Sequence, residues 1–171
     1  MALSLYDASI PGYLRMLRNV IAMLDKAQAW AGEQGLPLEA VMEARLAPDM
    51  FPLTRQVQIV SDAAKGGAAR LAGIEPPSFP DTEATWAELK GRLEKTVAFV
   101  EGVEREQVDG QEERVIEMRF PGRTMTFTGR DFLLTFSLPN FHFHVTVVYA
   151  LLRAQGVPLG KMDYLAEAAA G

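Results

Sequence analysis

The stretch from Leu138 to Gly156 constrains the fold most, because it places both histidines of the chain on one predicted helix with matched end signals. Pro139 suits a first helical turn, where its missing N–H costs nothing, and Gly156 suits the position just past the end. At roughly 100° per residue, Asn140, Val147, Val148, Leu151 and Leu152 fall within about 80° of His144. His144 therefore points into the apolar stripe, one turn from Asn140. His142 lies roughly 160° away, with Tyr149 and Arg153 on the opposite face. Polar groups on a buried face need partners or a ligand, so the remaining helices are read as packing around this one.

Helical spacing recurs along the rest of the chain. From Ser9 to about Glu33, Leu14, Leu17, Ile21 and Leu24 mark a first long helix, with Ser9 as its expected cap and Pro11 in its first turn. Gly35 ends it, and Leu36 to Arg45 reads as a short connecting helix. Asp49 is the expected cap of a second long helix that has Pro52 in its first turn and runs to about Leu71. Leu53, Val57, Val60, Ala64 and Leu71 form its stripe, Gln56 borders that stripe, and Gln58 and Asp62 fall on the far side. Small residues from Ala63 to Ala69 would let a neighbouring helix or subunit approach closely. Asp62 and Lys65, three apart, are expected to make an exposed ion pair of small energetic value.

Between Gly73 and Pro80, three prolines exclude a regular helix and mark a linker. Asp81 is the expected cap of a third long helix, whose stripe is Trp86, Leu89, Leu93, Thr96 or Val97, and Val100. Arg114–Phe120 and Arg123–Thr128, rich in β-branched and aromatic residues around Pro121–Gly122, read as a short hairpin. Helical spacing resumes from Gly129 to Phe136, with a kink or break at Ser137–Leu138–Pro139 before the last long helix. The tail from Val157 to Leu165 is expected to pack back on the bundle and to leave the terminal Ala-Gly residues loose. These elements describe one all-α domain over residues 1–171, a four-helix bundle with a short β-hairpin before its last long helix.

Composition removes several function classes. A net charge of -5 and a pI near 5.1 leave no basic stripe for phosphates, so nucleic acid is not an expected partner. The absence of cysteine excludes disulfides, thiolate metal sites and cysteine nucleophiles. No apolar run approaches the ~18 residues of a membrane span, and a soluble cytoplasmic protein is expected. Lys65-Gly66-Gly67 lies in a helical pattern and is not a phosphate loop. Two histidines cannot supply a three-histidine zinc site, and no Gly-x-Ser-x-Gly elbow occurs. What remains is His144 with Asn140, Gln56 and Gln58 as binding candidates, and with Asp49 or Asp62 as further oxygen donors. As a ligand set for a divalent metal such as Zn or Ni this is weak. Trp86 and Phe141 read as core, and His144 reads equally well as a core histidine satisfied by Asn140 or a backbone carbonyl.

Four segments together resemble a bacterial domain family of unknown function grouped with the DinB/YfiT-like metalloenzyme superfamily. They are Leu46-Ala-Pro-Asp-Met-Phe-Pro-Leu-Thr-Arg-Gln-Val-Gln, Phe127-Thr-Gly, Leu138-Pro-Asn-Phe-His-Phe-His-Val-Thr, and the run from Leu152 through Gly160-Lys-Met-Asp-Tyr-Leu165. The resemblance covers nearly the whole chain and implies a four-helix bundle, often dimeric. It also implies a divalent metal held by one histidine on the second long helix and two, spaced His-x-x-x-His, on the last. Some members of that superfamily act on low-molecular-weight thiol adducts. In this chain His144 matches the last of those histidines, Asn140 stands at its partner's position, and Gln56 or Gln58 is the nearest counterpart on the second helix.

The function expected from these residues is a small-molecule or weak metal pocket between the second and last long helices, lined by His144, Asn140 and Gln56. The alternative is a non-catalytic dimeric scaffold in which His144 is structural. A homodimer is expected in either case, through the small-residue run and the His142, Tyr149, Arg153 face.

Overall fold

The computed structural model describes residues 3–166, and the expected loose terminal residues lie outside that range. Four long helices form: α1 (Ile10–Gln34), α3 (Leu53–Ala72), α4 (Trp86–Glu101) and α7 (Leu138–Gln155). Short helices α2 (Leu38–Met42), α5 (Arg105–Val108), α6 (Gly129–Asp131) and α8 (Lys161–Leu165) connect or flank them. Strands β1 (Ile116–Phe120) and β2 (Arg123–Phe127) make the hairpin, with Ile116 opposite Phe127 and Phe120 opposite Arg123. Pro121 and Gly122 form its turn, and Gly122 takes φ 77°, a conformation open to glycine at little steric cost.

Long-range contacts fix the helix directions. Arg18 pairs with Glu101 at 2.5 Å and Asp25 pairs with Lys90, so α1 and α4 run antiparallel. Tyr13 stacks edge-on against Phe141, and Trp30 lies beside Gly156, so α1 and α7 run parallel. Gln58 reaches Glu83 just ahead of α4, and Ser61 reaches Thr96 within it, which makes α3 and α4 parallel. A parallel connection requires a return crossing, and the proline-rich linker makes it. From Arg55 to Gly73 helix α3 rises roughly 27 Å at 1.5 Å per residue, and the extended linker from Gly73 to Asp81 covers about 25 Å at ~3.1 Å per residue. Asp81 then meets Arg55 at 2.5 Å.

Three expected caps are corrected. Ser9 precedes α1, but its hydroxyl donates to the Leu5 carbonyl at 2.7 Å and makes no capping bond. Asp49 sits exposed in a turn, and α3 opens at Leu53 behind Pro52 with no side-chain cap; the Leu53 N–H donates to the Ala44 carbonyl instead. Asp81 does not cap α4, because Thr85 and Glu88 form a capping box nearer the helix, with the Glu88 N–H donating to Thr85 Oγ1 at 3.2 Å. That box frees Asp81 for Arg55 and Arg92.

The expected break before α7 is a widened turn. Phe132–Ser137 is π-helical, and the Leu138 N–H reaches back five residues to the Leu133 carbonyl. Pro139 has no N–H to donate, and its ring crowds the preceding turn, so one extra residue is accommodated there instead of a break. The tail docks as expected: Lys26 binds Asp163, Asn19 donates to the Tyr164 carbonyl, and Arg15 reaches the Leu165 carbonyl. Among the described residues no helix is long and apolar enough to cross a membrane.

Candidate functional site

The seam between α3 and α7 holds the polar residues singled out by sequence. Gln56 meets His144 and Gly67 meets Ser137, so the two helices run antiparallel along it. Gly67 makes their close approach possible: a β-carbon there would lie 2.6 Å from the Tyr13 hydroxyl and 2.7 Å from Ser137 Oγ. Those two hydroxyls are themselves hydrogen-bonded at 2.7 Å in the core. Burial drives the Tyr13 hydroxyl pKa strongly upward and keeps the phenol neutral. The small-residue run thus serves a neighbouring helix of the same chain.

His144 is half-buried and lies within the buried face of α7. The buried residues Phe141, Val145, Val147, Val148, Leu151 and Leu152 centre roughly 40° round the helix from it, with some on either side. Its partner is Gln56: Nδ1 donates to Gln56 Oε1 at 2.7 Å, and Gln56, expected at the stripe edge, is 2% exposed. A carboxamide oxygen only accepts, so this bond fixes the proton on Nδ1 and leaves Nε2 unprotonated. Burial, and secondarily the Arg55 cation, hold the imidazole pKa below its ordinary value. The pair is a neutral histidine with one nitrogen locked and the other available as an acceptor.

Asn140 does not bond His144. It is half-buried, makes no hydrogen bond to any described residue, and lines a cavity of about 280 Å³ between α3, the hairpin and the π-helical turn. Met118, Phe120, Phe132 and Phe136 supply apolar walls. Arg70, Asp62 and Ser137 supply the other polar groups, and the lining does not extend to Gln56 or His144. Gln58 belongs to neither: it accepts from Arg55 at 3.2 Å and donates to Glu83 at 2.9 Å, on the opposite flank of α3. The four candidates therefore divide into a hydrogen-bonded pair, a cavity residue one turn away, and a glutamine facing α4.

The α4 flank contains what sequence reasoning missed. Arg92, 2% exposed, binds Asp62 at 2.8 Å, Asp81 at 3.0 Å and Glu83 at 3.0 Å. Burial alone would lower its pKa, but the hydrogen bond it donates to Glu83 and the charges of Asp62 and Glu83 raise it. Lys65 joins from α3 at 2.9 Å to Asp62 and is itself buried, so the Asp62–Lys65 pair is not the exposed one expected. The signal was present: Arg92 lies between Leu89 and Thr96 at helical spacing on an otherwise apolar stripe.

His142 and Tyr149 have an intramolecular neighbour. The Tyr164 hydroxyl of α8 lies 3.2 Å from His142 Nδ1, and its ring packs edge-on to Tyr149. Part of the face expected to meet a second copy is covered by the tail of the same chain.

Residues 5–165 match a family described as a domain of unknown function, DUF1993. The chain belongs to that family. It is also similar to a DinB family member from Shewanella denitrificans, known from a crystal structure, with 36% identity and a TM-score of 0.86. The match covers 98% of this chain and 94% of that one. No curated protein matches. The fold is therefore DinB-like, as the sequence resemblance implied.

The metal implied by the wider superfamily does not fit these residues. Gln56 and Asn140 replace imidazoles with neutral amides, the Gln56 Oε1 is engaged by His144 Nδ1, and Asn140 lines a cavity that excludes His144. Among the described residues no three His, Asp or Glu side chains gather at ligating distance. One imidazole and two amides make a poor set for Zn or Ni.

Proposed function

We propose that this DinB-like chain binds a small, largely apolar molecule in the cavity between α3, the hairpin and the π-helical turn. The observation that carries the reading is the half-buried Asn140 carboxamide, which lines an aromatic cavity and has no hydrogen-bond partner among the described residues. A carboxamide that borders an aromatic cavity without a protein partner offers a donor and an acceptor to a ligand. Ligand sites are typically apolar clefts with a few placed polar groups, and this one is at the small end of the usual ~300–1,000 Å³ range.

Methyl-detected NMR of the protein, titrated with a fragment set, tests this. Hits should shift the Met118 methyl signal and vanish in Ala63→Leu, which places bulk in the cavity wall. Fragments that bind equally well to Ala63→Leu, or an absence of hits, would remove the reading.

The scaffold alternative is favoured by the Gln56–His144 bond, which gives the histidine a structural partner. The homodimer is proposed on the apolar cleft between α7 and α8, lined by Tyr149, Tyr164 and Leu165, beside the 64% exposed Met162. Light scattering at micromolar concentration should return twice the 18.8 kDa chain mass; the single-chain mass ends the dimer.

A further inference from the structure

Resting on the cavity reading above, we propose that the ligand is an apolar carboxylate, a small aromatic or aliphatic acid whose anion is received by Arg70 and Asn140. Three cations stand on α3, and two have carboxylates: Arg55 binds Asp81 at 2.5 Å and Lys65 binds Asp62 at 2.9 Å. Arg70 has none. Its one hydrogen bond among the described residues is from Nη1 to the carbonyl of Gly66 in its own helix, at 3.0 Å. It is nonetheless half-buried and lines the cavity. Burial lowers its pKa, with the Glu75 charge opposing from a distance, so the guanidinium has lost water without gaining a bonded anion.

Its placement is enforced by the backbone. A β-carbon on Gly66 would lie 2.5 Å from Arg70 Nη1, so the side chain lies folded across a glycine and keeps the guanidinium against the helix. Glycine inside a helix costs about 1 kcal/mol relative to alanine. With Nη1 engaged, the rest of the guanidinium fork is available for a planar carboxylate, and the unpartnered Asn140 amide is a second donor on the same cavity. Asp62, the anion on this wall, is neutralised by Lys65 and Arg92 and does not repel an incoming acid. Met118, Phe120 and Phe136 leave an apolar body as the remaining requirement.

Calorimetry on the full chain tests the class with 3-phenylpropionate, its neutral analogue 3-phenylpropanol, and acetate. The acid should bind at least tenfold more tightly than the alcohol, and acetate should show no binding. Arg70→Gln should abolish the acid's advantage and leave alcohol binding unchanged. Gly66→Ala keeps the charge but displaces the guanidinium, and should weaken acid binding even if Arg70→Gln fails to fold. Equal binding of acid and alcohol, or an acid preference that survives both variants, would overturn the carboxylate while leaving the cavity reading standing. No binding of either aromatic compound would overturn both.

Discussion

Helix α3 buries polar side chains on both flanks, and the two flanks are finished differently. Toward α4, Arg92 meets three carboxylates and Lys65 joins the same network, so each charge named there has an opposite one. Toward α7, the Gln56–His144 bond is complete on one ring nitrogen, Asn140 has no partner among the described residues, and Arg70 has no carboxylate. A buried cation met by three carboxylates locks elements together even with its Nε unbonded among the described residues; here it clamps the returning linker to α3 and α4. Polar groups left open beside an aromatic cavity lock nothing, and a ligand would complete them.

The comparison breaks most sharply at Arg92. Arg92→Leu leaves Asp62, Asp81 and Glu83 without their shared cation and should cost about 3 kcal/mol in urea denaturation; a loss below ~1 kcal/mol, the range of a surface pair, would erase the contrast. Gly67→Ala comes next. Its β-carbon meets the Tyr13 and Ser137 hydroxyls, and overpacking of this kind should cost about 2 kcal/mol and push α3 from α7.

On the α7 flank the energies are smaller and the readout is chemical. Gln56→Leu removes the acceptor from His144 Nδ1 and should cost about 1 kcal/mol. Nitrogen-15 shifts of the ring should then show the proton moving from Nδ1 toward Nε2; an unchanged tautomer would mean that Gln56 does not set it.

The smallest effect is the pH dependence. His142 and His144 both titrate below the ordinary 6.5, each through burial, and His144 also through Arg55. The unfolded chain then binds more protons as pH falls, so the stabilisation present above about 6.5 should be lost on acidification through the folded pKa values. Glu83 is also shifted down, because burial, which raises it, is outweighed by the hydrogen bonds from Arg92, Gln58 and backbone together with the Arg92 charge, but from 4.5, so its contribution lies at more acid pH. His144→Gln should flatten the slope below about pH 6.5; an unaltered slope would mean that the imidazole is not held neutral by the fold.

Local signals carried the architecture into the sequence. Pro11, Gly35, Gly73 and Gly156 sit at or next to helix ends in the structure, and Pro121–Gly122 turns the hairpin. These were readable because each acts within a few residues. Pairings across the bundle were not. Periodicity put Gln56 at an edge because it says nothing of the imidazole that arrives from α7. Asp62 and Asp81 looked like solvent-facing or capping residues, but a buried arginine on α4 binds both, and Gln58 donates to Glu83, the third carboxylate of that arginine. Of the expected pocket residues only Asn140 borders the proposed cavity, which α3 shares with the hairpin and the π-helical turn, and neither of those shows a polar pattern that marks it in the sequence.

The turn at Phe132–Ser137 also sets where the chain can change length. Anywhere else along α7, an added or lost residue turns every later side chain by about 100° and takes His144 off Gln56. A π-helical turn already contains one residue more than the α-helical path needs. Loss of the exposed Thr135 would return it to a plain α-helix, with the phenylalanines before it and the asparagine and histidine after it still on their present faces. Length variation within this part of the chain should therefore collect at that turn, where it reshapes the cavity wall without disturbing the rest of the seam.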